Sequence, residues 1–360
     1  MGHKFLDSFA RRLLGVCLCL SAALIYGSRV HSVVLSDDFI RYYASYVSLL
    51  EQDSVIAWLK QAFGTFGFEL GLPVYYGILT FLFGELHSAH LLFYTILLPC
   101  ILLLIWLEKY GMQGCSQSQK SLCVLLVFLF FNFVWTTWLT RQMISSIWIL
   151  YSISAYTTRS RWGFGILACL FHLTALPILV ILFASKKYPK TTIFAWVIVL
   201  MIFTLLLEVL YGLSKDGLIP LDMPLLSKFG YYVFTGGENV APHFNEVAML
   251  VCMLFAFLLP NDTIKSSYAY IFYVFFIMYF FLYFLAPGSM GQRSTLLLTS
   301  CLFGFFLFLA LRRYYLALLI ISAVFLILRI KALVFAGEDE SVRNFYAYPP
   351  CGDLFYYLYL

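Results

Sequence analysis

Apolar runs long enough to cross a bilayer recur along almost the whole chain, and this feature limits the fold more than any other. A helix needs roughly 17 to 25 mostly apolar residues to traverse a hydrocarbon core. With a window of about 19 residues, spans fall near 13–34, 68–84, 88–107, 121–140, 143–158, 163–184, 191–212, 245–260, 268–286, 294–312 and 314–335. Hydrophobic residues make up 62% of the 360 and charged residues 11%, with a mean hydropathy of +0.90, far from a soluble composition. The expectation is an all-α, polytopic integral membrane protein of about eleven transmembrane helices. It forms a single membrane domain over 1–360, with no soluble catalytic domain between the spans.

The first run carries Lys4, Arg11 and Arg12 ahead of its apolar stretch and has no convincing small-residue cleavage site. It reads as an uncleaved first helix with its N-terminus inside. Three polar stretches then fall on the outer face: 36–67, a medium loop over 213–244, and a C-terminal segment over 337–360. In the first of these, Phe39, Tyr42, Tyr43, Tyr46, Val47 and Leu50 recur at steps of three and four. That spacing describes an amphipathic helix at the membrane surface, either a connector or a lid over a site there. Span counting leaves Lys186, Lys187, Lys190, Arg312 and Arg313 inside, as positive charges should be, but sets Arg159 and Arg161 outside. Those two move inside, and Arg141 moves outside, if the short Ser-containing span 143–158 does not cross fully or if 68–107 crosses differently.

The net charge of +5 is spread over separate loops with no basic tail, which excludes nucleic acid as a partner. The bilayer itself is the expected surroundings, and Tyr-rich run ends such as "RYYASY" and "RRYYL" read as headgroup-level anchors. The nine Cys show no ligand spacing, and five of them (Cys100, Cys123, Cys169, Cys252, Cys301) lie in apolar runs where a thiol is a small hydrophobe. Cys115 and Cys351 sit in polar segments and are either a pair or two separate thiols.

An ionisable group within or beside a span is costly when unpaired, so each is a functional candidate. These are Glu69, Arg141, His172, Glu208, Arg293, Arg329 and Lys331. The last two can snorkel to headgroups from their helix end, and Glu208 sits near an interface. Arg141 is followed by Gln142 and then by early turns holding Ser145 and Ser146. Its guanidinium offers five donors in a rigid fork, which suits phosphate or pyrophosphate oxygens or, less specifically, phospholipid headgroups. His172 is expected about ten residues into its span, as a hydrogen-bond partner between helices or as a base.

The run "RQMISSIWILYSISAYTTRSRWGFGILACLFHLTAL" resembles the central signature of the EpsG-like and Wzy-type polysaccharide polymerases. The matching residues are Arg141-Gln142, then the basic Arg159 and Arg161, then Phe171-His172 and Thr174. Asp38 and Tyr42 in "DDFIRYY" resemble that family's first outer-loop motif, Glu69 its acidic residue before the second span, and Arg293 in "SMGQRSTLLL" its Arg opening a late helix. The similarity covers roughly residues 10 to 335. Met143 stands where the family often has Gly or Ala, and 213–244 holds no alignable motif.

The resemblance implies an inverting, metal-independent glycosyltransferase with no cofactor, in the bacterial inner membrane with its site facing the periplasm. It would move a growing O-antigen or capsule glycan en bloc from undecaprenyl pyrophosphate to the next lipid-linked repeat, with a chain-length regulator as a candidate partner. Arg141, Arg293 and Gln142 would hold the pyrophosphate. His172 is the first candidate for the base, then Glu69 and Asp38, while Tyr42 and His243 are candidates for binding substrate. Three rival readings remain, one of them a membrane protein whose buried ions are purely structural. An O-antigen ligase would carry a larger outer loop with an Arg and a His, whereas 213–244 has His243 and no Arg; a lipid-linked oligosaccharide flippase or transporter would line its spans with cations, which here collect at span ends.

Overall fold

A computed structural model describes residues 2–27, 38–133, 136, 139–188, 244–258, 263–284 and 295–334, with scattered positions between 191 and 213. Every regular element among them is helical. In chain order these are α1 (Gly2–Gly27), α2 (Asp38–Leu50), α3 (Val55–Phe66), α4 (Gly71–Phe83), α5 (Ser88–Trp106), α6 (Gln117–Phe130), α7 (Thr140–Ser154), α8 (Thr158–Phe171), α9 (Ala175–Lys187), α10 (Phe244–Leu258), α11 (Thr263–Phe284), α12 (Phe303–Leu311) and α13 (Tyr315–Val334). Single π-helical turns follow α5 at Leu107–Gly111 and precede α12 at Leu297–Cys301. Among the described residues, two stretches, Ser8–Gly27 and Ser88–Gly111, are long and apolar enough to cross a membrane, and four helices are shorter but apolar. Apart from Leu213 and Phe244, the expected loop 213–244 lies outside the described residues, as does 337–360.

The chain forms two compact units, one of Met1–Leu176 with Phe303–Leu360 and the other of Pro177–Leu302. In the second unit, α10 packs on α11 through stacked Phe257 and Phe272 rings with centroids 4.5 Å apart, and the Tyr273 hydroxyl donates to the Phe257 carbonyl.

In the first unit α1 and α5 run antiparallel, since Gly15 lies against Leu104 and Gly27 against Phe93. At the end where α1 starts and α5 finishes, Arg11 is 4% exposed and grips Glu108 with two bonds of 2.7 and 2.8 Å, while also donating to Gln117. A buried guanidinium is tolerable only when paired in this way. α7 is buried at most positions from Thr140 to Ile153 and shares its course with α5. The Tyr151 hydroxyl donates to the Leu102 carbonyl, and the Trp106 indole N–H to Leu150 and Ser154. α8 returns beside it, capped by Thr157. The serines that make α7 look too polar for a span lie in this seam: Ser145 donates to the Ala168 carbonyl at 2.9 Å and Ser152 to the Arg161 carbonyl at 2.8 Å. Small polar residues let two helices approach closely while their hydroxyls find partners.

These contacts settle which groups share an end. Arg12 lies 3.7 Å from Glu108, Arg312 donates to Cys115, and Tyr110 meets Tyr151 and Tyr156 at the α7–α8 link. Arg159 and Arg161, just past that link, therefore join Arg11, Arg12 and Arg312 at one end of the unit. Arg141, at the opposite end of α7, is separated from them. Span counting set Arg159 and Arg161 on the other side from Arg11, Arg12 and Arg312; their common end agrees instead with the alternative in which 143–158 or 68–107 crosses differently. With 13 residues, α4 is about 20 Å long against a hydrocarbon core of about 30 Å. The Tyr75 hydroxyl donates to the Tyr94 carbonyl and the Phe83 ring stacks on the Tyr94 ring, although those two positions are about 12 Å apart along α4. α4 is thus a short apolar helix held to α5 around Tyr94.

A second correction concerns 163–184, expected as one span with His172 deep inside it. The helix ends at Phe171, His172 is extended (φ −157°, ψ 125°), and helix resumes at Ala175. Pro177 supplies the reason. It has no N–H to give the Leu173 carbonyl, and its ring would collide with that oxygen in a continuous helix. Instead the chain makes a tight turn in which Ala175 N bonds to His172 O and Leu176 N to Leu173 O.

Candidate functional site

The site is assembled at the end of the first unit remote from the Arg11 cluster, where α2, α3 and α4 gather over the start of α7 and the finish of α8. α2 is anchored by a stripe of Phe39, Tyr42, Tyr46 and Leu49, all buried, which keeps three of the six expected positions while Tyr43, Val47 and Leu50 are half-buried and Leu49 joins the face. The Tyr46 hydroxyl accepts from Leu86 N at 2.9 Å and from Thr80 at 3.1 Å, tying α2 to α4 and to the turn beyond it. Ser54 caps α3 by accepting from Ala57 N, and α3 closes at Gly67, whose φ of +62° is a conformation glycine adopts without strain. That turn delivers Glu69 just ahead of α4.

Glu69 occupies the centre. Its Oε2 lies 2.5 Å from Nη1 of Arg141, and its Oε1 lies 2.7 Å from Nδ1 of His172 while accepting from the Leu173 backbone N–H at 2.9 Å. Nδ1 of His172 makes no aligned hydrogen bond to the carboxylate, so the His172 contact is one of proximity. The helix break at His172 is what frees the Leu173 N–H for Glu69. Arg141 also donates from Nε toward the Tyr42 hydroxyl at 3.4 Å, and its guanidinium lies over the rings of Tyr42 and Phe66 at 5.4 and 5.6 Å. Such faces attract a cation.

Burial acts to raise the Glu69 pKa, but the approach of His172, the Leu173 N–H and Arg141 outweighs it, and the carboxyl stays below its ordinary range. The group is therefore a carboxylate flanked by two basic side chains. Arg141 and His172 remain 26% and 24% exposed, enough for a ligand to reach them.

Four sequence candidates, Tyr42, Glu69, Arg141 and His172, thus converge from positions up to 130 residues apart. Gln142 is buried beside Arg141 on α7. Asp38 opens α2 one turn before Tyr42, but its side chain lies outside the described residues, as do Arg293 and His243. Arg159 and Arg161 belong to the opposite end. Sequence reading missed Phe66, the Leu173 N–H and the contact of Gly71 with Phe171. Only the Gly between Glu69 and Pro73 offered a signal, as a position where two elements meet closely. Among the described residues, no three of His, Cys, Asp or Glu gather as a metal site.

The EpsG family model matches residues 12–349. No curated protein and no solved structure matches the chain.

Proposed function

The chain belongs to the EpsG family, and on that premise we propose that it is a polysaccharide polymerase of the bacterial inner membrane, built on about eleven spans and working at the periplasmic face. It transfers a growing O-antigen or capsule glycan from undecaprenyl pyrophosphate to the next lipid-linked repeat. The observation that carries this reading is the cluster of Glu69, Arg141 and His172 at the end of the unit opposite the basic Arg11, Arg12, Arg159, Arg161 and Arg312. Positive residues favour the cytoplasmic side, which supports a periplasmic site.

In this reaction an acceptor sugar hydroxyl attacks the anomeric carbon of the donor glycan. The new C–O bond forms as the bond to the pyrophosphate oxygen breaks, the electron pair stays on the pyrophosphate, and configuration inverts. Arg141 can hold Glu69 and still donate to the leaving group, because a guanidinium has five N–H donors. The family resemblance makes Arg293 and Gln142 further candidates for holding the pyrophosphate, and Tyr42 and His243 candidates for binding sugar. With Nδ1 at Glu69, Nε2 of His172 is the nitrogen left to accept the hydroxyl proton. The Glu69 carboxylate stabilises the imidazolium so formed, as an orienting carboxylate does beside other catalytic histidines. Asp38, one turn from Tyr42, is the remaining candidate base. Charge balance at the leaving group comes from fixed cations rather than a metal.

The test is elongation in proteoliposomes holding the purified protein and a lipid-linked repeat. The wild type should form polymers and release one undecaprenyl pyrophosphate per linkage, whereas Arg141→Ala and His172→Ala should not. Polymer formation by both variants at the wild-type rate would refute the assignment.

A further inference from the structure

Beside the charged cluster lies a cavity of about 310 Å³ that the mechanism above does not use. Its walls come from α2, α3 and α4 and include Tyr46, Leu49, Trp58, Tyr76, Gly77 and Phe81. The few polar atoms around it are already engaged, since the Tyr46 hydroxyl binds Leu86 N and Thr80, and the Tyr76 hydroxyl binds Thr95. What remains is an apolar surface unsuited to a sugar, whose hydroxyls would go unpaired there.

The two ends of the cavity differ. Phe81, on its wall, is 88% exposed and continues an outward face of α4 with Val74, Ile78 and Leu82, a face suited to lipid. At the inner end Tyr76 is fully buried and lies within electrostatic reach of both Tyr42 and Arg141. Tyr42 is one turn from Tyr46 along α2, and Glu69 is one turn from Pro73, which also lines the cavity. An apolar cavity thus runs from the lipid-facing side of α4 to Tyr76, whose neighbours in charge are Tyr42 and Arg141.

We propose that this groove binds the first isoprene units of the polyprenyl pyrophosphate carrier, so that the chain enters laterally past Phe81 and its pyrophosphate arrives at Arg141. The proposal rests on the polymerase reading for the identity of the lipid. Branched, unsaturated isoprene units match the aromatic walls formed by Tyr46, Trp58, Tyr76 and Phe81, and the anionic head matches the Arg141 guanidinium beyond Tyr76. The groove fixes where along the lipid the reacting bond is held.

Gly77 provides a clean test. A Cβ added there meets only Trp58, at 3.8 Å, so Gly77→Ala is accommodated and Gly77→Leu projects into the groove. The probe is a polyprenyl pyrophosphate carrying a diazirine on its second isoprene unit, incubated with the full-length protein in nanodiscs and irradiated. Wild type and Gly77→Ala should label on α3 or α4, and Gly77→Leu should lose about tenfold or more of that label, as exclusion of a few buried methylene-sized groups requires. Equal labelling of Gly77→Leu, or displacement of the probe by phosphatidylglycerol as readily as by unlabelled polyprenyl pyrophosphate, would overturn the proposal. Polymer length in the Arg141→Ala variant reads the polymerase assignment separately. Its collapse alongside unchanged Gly77→Leu labelling sinks the groove alone, while normal polymers alongside lost Gly77→Leu labelling sink the polymerase and keep the groove as a lipid site.

Discussion

Gly71 lies face to face with the ring of Phe171: a Cβ built on Gly71 would stand 2.7 Å from Cδ2 and 2.8 Å from Cγ of that ring. The contact joins the start of α4, two residues after Glu69, to the last residue of α8, one before His172. It therefore sets the distance between the carboxylate and the imidazole. Gly71→Ala should push Phe171 and His172 away from Glu69 and slow elongation by about tenfold to a hundredfold, the scale of a misplacement near 1 Å. Gly64→Ala is the control, because nothing lies within 4 Å of its Cβ, and it should leave the rate unchanged. Initial rates of repeat incorporation compare the two.

Arg141→Lys keeps the charge but loses the fork. A lysine can reach either Glu69 or an incoming phosphate oxygen, and it cannot spread over the Tyr42 and Phe66 rings as a planar guanidinium does. We expect a loss of about a hundredfold in turnover, comparable to removal of one oxyanion donor, with membrane insertion intact. Single-turnover kinetics with a fixed lipid-linked donor would measure it.

Much of this was legible in the sequence. Helical class, much of the buried face of α2 and the choice of Glu69, Arg141 and His172 as candidates, which the structure brings into contact, follow from hydropathy, three-and-four spacing and the family-like motifs. What spacing could not convey was direction. A 13-residue apolar helix reads as a span in a hydropathy window, although it is about 20 Å long against a hydrocarbon core of about 30 Å, and the side on which Arg141 falls turns on that one helix. Likewise Pro177 is visible in the sequence, yet a Pro after an apolar run is common within membrane helices. Only the Leu173 N–H on Glu69 shows that the break is used. The Arg11–Glu108 pair escaped notice because an arginine near the N-terminus has an ordinary explanation in positive-inside topology.

The Glu69 carboxyl has its pKa lowered in the folded protein, chiefly because the basic neighbours and the Leu173 N–H outweigh its burial. A lowered carboxylate contributes stability above its unfolded pKa and loses it as pH falls through the folded value. Wild type should therefore exceed Glu69→Gln in stability by about 1–3 kcal/mol at neutral pH. The gap should close only when pH drops below the usual carboxylate range. Thermal melts in nanodiscs from neutral to acidic pH would follow it, and a gap that closes near neutrality would contradict the assigned ionisation.

The Arg11–Glu108 cluster is structural, so its loss should appear in stability rather than catalysis. Glu108→Ala leaves a buried guanidinium with only Gln117 and should cost about 3–5 kcal/mol, while adding Arg11→Met removes that charge and should restore most of the loss. Melting temperatures of the single and double variants decide this, with elongation per folded molecule staying near wild type.

The most direct measurement of the central claim is the polysaccharide ladder on a gel from a strain lacking this chain, complemented with wild type, Arg141→Ala or Glu69→Gln. Wild type should restore long chains, and the variants, inserted at equal level, should leave a single repeat on the acceptor, because export and attachment continue and only polymerisation is lost. Long chains in both variants, or loss of every repeat with lipid-linked units accumulating, would contradict the polymerase site built around Glu69.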